Sequence, residues 1–222
     1  MITNKSTRNG FTLIELLTVI AIMAVLAGLS VPALSAFSKT GQADLTFSKL
    51  TETLEQAREY AVAQNTYVWV AFNANTSSPT AGTELSLAVL ASADGTDLAS
   101  NWVSGVGTGS NLVEVSKIQT FQYTELQAPG VVTPATTLSE TGQAINSTAK
   151  FSITLPGQST TTTFGQAIQF TPTGEARNAD GVPVDLVEFD VQPEKGPGVA
   201  NPKNGAVIQV SGLTGETRIY RQ

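Results

Sequence analysis

The sequence predicts an α+β fold in which one long amino-terminal helix packs on a mainly antiparallel β-sheet. Three observations predict this class. Twenty-three residues without a charge lie between Glu15 and Lys39. A helical apolar stripe follows from Ala43 to Ala61, and from Thr66 onward short alternating runs are separated by turn residues. A helix followed by a series of antiparallel strands is typical of the α+β class.

The uncharged segment is long enough to cross a membrane. As a helix at about 1.5 Å per residue it would span about 35 Å, whereas a bilayer core is about 30 Å thick. A cleaved secretory signal has a shorter apolar run of about 7–15 residues, so it fits this segment less well. Lys5 and Arg8 precede the run, and the first 14 residues contain no acidic residue. This asymmetry predicts a cytoplasmic amino terminus and an exported remainder of the chain.

Two positions in this segment are unusual. Glu15 lies at its entrance, and a lone carboxylate at membrane depth costs roughly 2.5–3.5 kcal/mol. Glu15 therefore either marks the boundary with water or meets a positive charge from another chain. Pro32 cannot donate the helical hydrogen bond to the carbonyl of Gly28, and glycine is a weak helix former. The pair predicts a kink or a locally melted stretch between about 28 and 32, although membrane helices also tolerate proline as a simple bend.

The second half of the helix carries one apolar stripe with spacings of three and four residues. Its members are Ala43, Phe47, Leu50, Leu54, Ala57 and Ala61. We expect the stripe to dock on the protein's own sheet. A coiled-coil seam for a partner is the alternative, but the stripe covers fewer than three heptads. Asn65 is the predicted end of the helix.

Eight short strands are predicted after the helix, with turn residues clustered between them. They are Tyr67–Phe72, Leu85–Leu90, Val113–Tyr123, Phe151–Leu155, Ala167–Phe170, Leu186–Val191, Val207–Val210 and Arg218–Tyr220. The last two are predicted to form a hairpin across Gly212–Gly215. The stretches 92–111 and 128–149 are predicted loops, and long loops are often mobile or functional. The threonine run 160–163 fits either a strand or a surface patch.

Composition excludes most enzyme classes. The 222 residues include no cysteine and no histidine. The chain therefore has no disulfides, thiol nucleophiles, imidazole ligands or Ser-His-Asp triads. It also lacks a P-loop and a GxGxxG motif. Twelve basic and 18 acidic residues give a net charge of −6, which disfavours general binding to DNA. We predict no catalytic residues, no metal and no cofactor.

The densest acidic group is Asp180, Asp185, Glu188 and Asp190. Paired carboxylates can catalyse hydrolysis, and several oxygen ligands on a flexible loop can hold Ca²⁺. EF-hand spacing is absent, however, and a solvated loop and strand is the simplest interpretation. The sequence Asp94-Gly95-Thr96-Asp97 is predicted to be a turn.

The segment Gly10-Phe11-Thr12-Leu13-Ile14-Glu15 resembles the processing motif of type IV prepilins. The resemblance implies that a prepilin peptidase removes a leader, residues 1–10, after Gly10 on the cytoplasmic side, and that Phe11 becomes an N-methylated amino terminus. It implies a pilin-like fold, with 11–38 as the transmembrane and filament-core helix, 39–65 as its amphipathic second half and 66–222 as the exported domain. Glu15 would pair with the amino terminus of a neighbouring subunit during assembly, and the region of Gly28 and Pro32 would unwind in the filament.

The helix-to-strand junction, 50–70, and the closing segment, 215–221, are similar to those of H-type minor pseudopilins and T-type minor pilins. This resemblance implies a structural subunit of a type II secretion pseudopilus or a related filament. Its partners would be other pilin-like subunits, the prepilin peptidase and the inner-membrane assembly platform. The chain would cross the inner membrane once, with its carboxyl-terminal domain in the periplasm.

The alternative is a T-type minor pilin that captures DNA for uptake, with Arg218 and Arg221 as a small basic end. Loss of Lys5 and Arg8 with the leader would take the net charge from −6 to −8, which favours the structural function over DNA capture. Major pseudopilins carry a calcium site near the carboxyl end, and the acidic group here does not visibly match it.

Overall fold

The computed structural model of the chain describes residues 13–75, 82–97, 111–145, 151–154, 161–196, 199–200 and 203–222, and the side chains of 29–42 and of a few strand-end residues lie outside this description. The helix α1 is Leu13–Gln64. The strands, in chain order from β1 to β13, are Val68–Asn75, Glu84–Ser92, Leu112–Gln122, Thr124–Gln127, Gln143–Ala144, Phe151–Thr154, Thr161–Phe164, Gln166–Phe170, Ala176–Asn178, Leu186–Gly196, Val199–Ala200, Ala206–Ser211 and Thr217–Arg221. The predicted α+β class, a helix packed on antiparallel sheets, is confirmed.

The chain divides into two units, Met1–Gln42 and Ala43–Gln222. Within the described residues, no helix combines the length and the apolar character that a membrane crossing needs. The predicted span 11–38 is therefore not confirmed, and part of it lies outside the described residues. The helix runs without a break through positions 28 and 32, and a kink there stays a prediction.

In the second unit the helical stripe is buried, as predicted. Its six members, Ala43 to Ala61, have at most a few per cent of their surface exposed and belong to one core cluster. The helix ends at Gln64 because Asn65 adopts a left-handed conformation with φ of 51°, which asparagine tolerates better than most residues. The amide of Thr66 then donates to the carbonyl of Ala61 at 3.1 Å and closes the last turn.

The first sheet has the strand order β3-β2-β1-β8-β9, and every pair in it is antiparallel. Val68, Val70 and Phe72 alternate along β1 and face the helical stripe. Trp69 and Ala71 point to the opposite face, where they form a second, smaller apolar cluster with side chains such as Phe164. Both faces of β1 are therefore buried.

The second sheet is built around β10. Its main path is β11-β10-β12-β13, while β4 pairs antiparallel and β5 pairs parallel with the same strand, β10. The predicted hairpin between β12 and β13 is confirmed, and Gly215 takes a left-handed φ of 65° in its turn. Strands β6 and β7 form a separate two-stranded sheet, so residues 161–163 of the threonine run belong to a strand, and Thr160 lies outside the described residues.

The helix joins the two sheets through polar contacts at the rim of the core. Glu55 accepts a hydrogen bond from the amide of Thr217 on β13 at 3.0 Å. Thr53 accepts one from the side-chain amide of Gln119 on β3 at 3.2 Å. Between the sheets, the rings of Phe72 and Phe189 lie 5.2 Å apart in a tilted arrangement. One core is thus shared by the helix and both sheets.

All eight predicted strands exist, with boundaries shifted by a few residues. The sequence did not predict β4, β5, β9 and β11, which have two to four residues each, and it left the threonine run of β7 as either a strand or a surface patch. Strands this short carry too few residues for an alternating pattern, and β4, β5, β9 and β11 each form because a longer strand beside them offers unpaired backbone groups. The predicted loop 128–149 contains β5 and is described as far as residue 145, and the loop 92–111 is described at its two ends.

We predict that Leu54→Ala destabilises the protein by about 2–5 kcal/mol, because it opens a cavity in the core. Leu54 is 0% exposed. The measurement is the urea midpoint of the full chain in non-ionic detergent, followed by tryptophan fluorescence, to which buried Trp69 contributes.

The matched control is Leu45→Ala on the same helix, where the side chain is 68% exposed. We expect this change to cost less than about 0.5 kcal/mol. Equal losses of stability in the two variants would contradict the packing of the stripe against the sheets.

Candidate functional site: the amino-terminal helix

The predicted site residues lie at the amino-terminal end of the chain. Gly10 and Phe11 fall outside the described residues, as does the leader. Glu15 is in the first turn of α1. Gly28 is exposed, and a Cβ added to it would meet no atom within 4 Å. Pro32 is within α1, and its side chain is not among those described. Within this end of the chain, the structure therefore describes the side chains of residues 13–28.

The apolar side chains of residues 13–28 are exposed on every side of the helix. Their exposed fractions run from 47% at Val19 to 79% at Leu13. The large apolar members are Leu13, Ile14, Leu16, Leu17, Val19, Ile20, Ile22, Met23, Val25 and Leu26. A helix that is apolar all round belongs in a protein core or a bilayer, and contiguous exposed apolar surface marks an interaction site.

Residues 43–64 of the same helix are built differently. Their buried side chains fall on one stripe, and the opposite side carries exposed Asp44, Lys49 and Glu52. Lys49 and Glu52 pair at 2.6 Å on that water-facing side. This stretch fills its own core and keeps a polar surface, whereas the surface of 13–28 is apolar and exposed.

Glu15 is the one charged residue in the sequence from 13 to 28. Its backbone carbonyl accepts a hydrogen bond from the hydroxyl of Thr18 at 2.9 Å. Any environment that buries the surrounding leucines and isoleucines also brings the carboxylate of Glu15 close to a low-dielectric region. A cation beside it would offset that cost, which makes Glu15 suited to recognising a positive group.

The acidic group of the second unit does not form one site. Asp180 and Asp185 are exposed, as predicted for a solvated loop. Glu188 and Asp190 are buried, so the expectation of a solvated strand is wrong for them. The reason is that β10 alternates: Val187, Phe189 and Val191 face the helix, and residues 188 and 190 face the segment 128–145.

Two buried carboxylates hold this segment through its backbone. Asp190 Oδ2 accepts a hydrogen bond from the amide of Val132 at 2.7 Å. Glu188 Oε2 accepts one from the amide of Gly142 at 2.9 Å and another from the side chain of Gln209 at 2.6 Å. The sequence shows the polar positions of β10 but not what covers them, so their burial could not be predicted.

Burial raises the pKa of Asp190, the backbone amides around Val132 oppose that rise, and repulsion by Glu188 adds to it. Among the residues that the structure describes, no group of three or more acidic side chains is placed to hold a metal ion.

The turn predicted at 94–97 is formed by an aspartate side chain. Asp94 accepts hydrogen bonds from the hydroxyls of Ser92 and Thr96 at 2.7 and 2.8 Å, and from the side-chain amide of Asn111 at 2.9 Å. The bonds from Ser92 and Thr96 lower the pKa of Asp94 to about 2. The carboxylate thus ties together the two described ends of the loop 92–111, which is a structural function.

The comparisons with known proteins bear on the amino-terminal segment. Residues 5–31 match the family described as the prokaryotic N-terminal methylation motif. No curated protein and no solved structure matches the chain. The matched segment contains Gly10, Phe11 and Glu15, together with the apolar helix just described. This match covers residues 5–31 of the 222 and supports a type IV pilin-like protein.

Proposed function

We propose that this protein is a structural, non-catalytic subunit of a pilin-like filament, of the minor pseudopilin type found in type II secretion systems. The observation that carries the proposal is the apolar surface of residues 13–28, exposed all round the helix with a single carboxylate in its first turn. In a filament, neighbouring helices of the same kind would cover that surface. The prepilin motif supports the same conclusion.

Before assembly the same segment would serve as a membrane anchor. We propose that residues 11–38 cross the inner membrane once, with the amino terminus in the cytoplasm and the domain that follows in the periplasm. The uncharged stretch of 23 residues and the two preceding cations support this topology. The inner-membrane assembly platform would then extract the helix from the bilayer into the growing filament.

The electrostatic function of Glu15 follows from this arrangement. Cleavage after Gly10 creates an α-amino group on Phe11, and Glu15 is then the fifth residue of the shortened chain. In a helical filament the carboxylate of one subunit can lie beside the amine of the next, so two groups that are costly to bury singly become a pair. The pair would fix the axial register between subunits.

DNA capture is supported less well. The two arginines of the supposed basic end are both engaged: Arg218 pairs with Glu216 at 3.2 Å, and Arg221 pairs with Asp44 and lies over the ring of Phe47. Neutralising phosphates needs clustered free cations. We therefore expect the full chain, in detergent and at physiological salt, not to retard duplex or single-stranded DNA in a gel-shift experiment. Submicromolar binding would reverse the ranking of the two functions.

We predict that a cell with a prepilin peptidase shortens the chain by its first ten residues and methylates the new amino terminus at Phe11. Gly10→Val should block both steps, because the bulk of a valine occupies the space that the motif reserves for glycine. Mass spectrometry of the amino-terminal peptide measures the outcome.

Asn9→Ala is the control, since it changes the adjacent residue and keeps Gly10. It should be processed like the wild type. A wild-type chain that keeps residues 1–10, or starts at a residue other than Phe11, would overturn the processing step.

We predict that Glu15→Ala is processed normally but enters filaments about tenfold less well or worse, because its neighbour's amine is then buried without a partner; a factor of ten needs about 1.4 kcal/mol. Quantitative immunoblotting of sheared filaments against whole cells gives the measure. Glu59→Ala, an exposed carboxylate on the second half of the helix, is the control and should assemble normally. Undiminished incorporation of Glu15→Ala would refute the register function.

A further inference from the structure

Residues 128–145 form a strap across the polar face of the second sheet. Five attachments to its backbone hold it: the amide of Val132 to Asp190, the amide of Gly142 to Glu188, the amide of Ala135 to the carbonyl of Arg221, the side-chain amide of Gln209 to the carbonyl of Glu140, and the parallel pairing of β5 with β10. Val132 and Ile145 add buried apolar contacts near its two ends. Most of the side chains between them are exposed, so the strap depends on these attachments.

The two carboxylates beneath the strap are almost completely removed from water. Glu188 is 1% exposed and Asp190 is 0% exposed, and they point to the same side of β10 because they are two residues apart. Among the described residues, no cation lies within ion-pair distance of either one. Asp190 Oδ1 also has no hydrogen-bond partner. A buried charge in this setting is costly, because desolvation is not offset by a counter-charge.

The surrounding elements add further negative charge. Glu188 and Glu194 lie on β10 itself, Glu125 lies on β4 in register with Gln192, and Glu140 belongs to the strap. On the other side of β10, Asp190 is paired with Val207 of β12, which carries no charge. Val207 is paired in turn with Tyr220 of β13.

The nearest described cation in the register of this face is Arg218. Glu188 of β10 is paired with Gln209 of β12, and Gln209 is paired with Arg218 of β13, so Arg218 lies two strands away from Glu188. Arg218 forms an ion pair with Glu216. The balance of charge around Asp190 is therefore negative.

We propose that Asp190 is a pH-dependent latch for the strap: its protonated form holds residues 130–142 firmly on the sheet, and its ionised form loosens them. Ionisation places a second charge beside Glu188 in a dry site, and lifting the strap relieves this repulsion by admitting water. Protonation at Oδ1 removes the charge and leaves Oδ2 able to keep the bond from Val132. The cavity of 340 Å³ between the strap and Glu188, lined by residues such as Val132, Pro134 and Leu138, would open when the strap lifts.

The direction of the effect follows from the pKa of Asp190, which burial raises above its ordinary value. A carboxyl group whose pKa is raised by folding binds its proton more tightly in the closed state than in an open, hydrated one. The stabilisation that Asp190 gives to the closed strap is therefore fully present at pH values below the pKa of the open state. It is lost as the pH rises through the higher pKa of the closed state. The strap should be tight in mild acid and looser at neutral and alkaline pH.

Hydrogen exchange of the full chain in detergent, measured by mass spectrometry from pH 8 to pH 5, tests the latch. After correction for intrinsic exchange rates, we expect the protection of amides 130–142 to rise toward pH 5, while that of the amides of β1 stays unchanged. Asp190→Asn cannot ionise and should show constant protection. Asp185→Asn, an exposed neighbour, should behave like the wild type.

Each outcome bears on the proposal. Constant protection in the wild type, an equal rise in Asp190→Asn, or an equal rise in the amides of β1 would each overturn it, the last because the effect would then be global. If Asp190→Asn does not fold, the titration of the Asp190 carboxyl carbon by NMR in the wild type decides instead. A midpoint at or below the ordinary value for aspartate would refute the latch, and a lower midpoint in Glu188→Gln than in the wild type would support it.

Discussion

Burial of the helical stripe against both sheets is the contact on which the rest of the domain depends. Leu50 and Leu54 lie in one cluster with Val70 of the first sheet and Ile208 of the second. The chain has no cysteine to cross-link the two sheets. The helix therefore supplies the surface that both sheets share, and the polar contacts of Glu55 and Thr53 at its rim fix its position.

The same helix has two kinds of surface, and the difference between them indicates what the protein does. In residues 43–64 the apolar side chains form a stripe that the domain covers. In residues 13–28 they lie on all sides and are exposed, with Glu15 as the sole charge. The domain's own sheets cover the stripe, whereas a helix that is apolar on every side belongs in a protein core or a bilayer. This asymmetry supports the proposal that the protein is an assembly subunit.

Strand β10 shows how a polar face can be buried without losing its polarity. Its inward residues fill the core, and its outward carboxylates take up backbone amides of the strap and, at Glu194, of Thr83. These contacts order a segment rich in threonine that has little apolar surface of its own. They also concentrate negative charge where water is excluded, and the attachment of the strap therefore depends on proton binding.

Much of the fold follows from sequence pattern alone. The stripe of Ala43 to Ala61, the helix end at Asn65, the eight longer strands and the last hairpin could all be predicted, because each depends on residues close together in the chain. The processing motif could likewise be recognised from the sequence, since Gly10, Phe11 and Glu15 lie close together in the chain. Tertiary structure alone decided that both sheets share one helix, that four short strands form beside longer ones, and that Glu188 and Asp190 are buried. Those features depend on segments that are distant in sequence and meet only on folding, and alternation along a strand does not reveal what will cover its polar face.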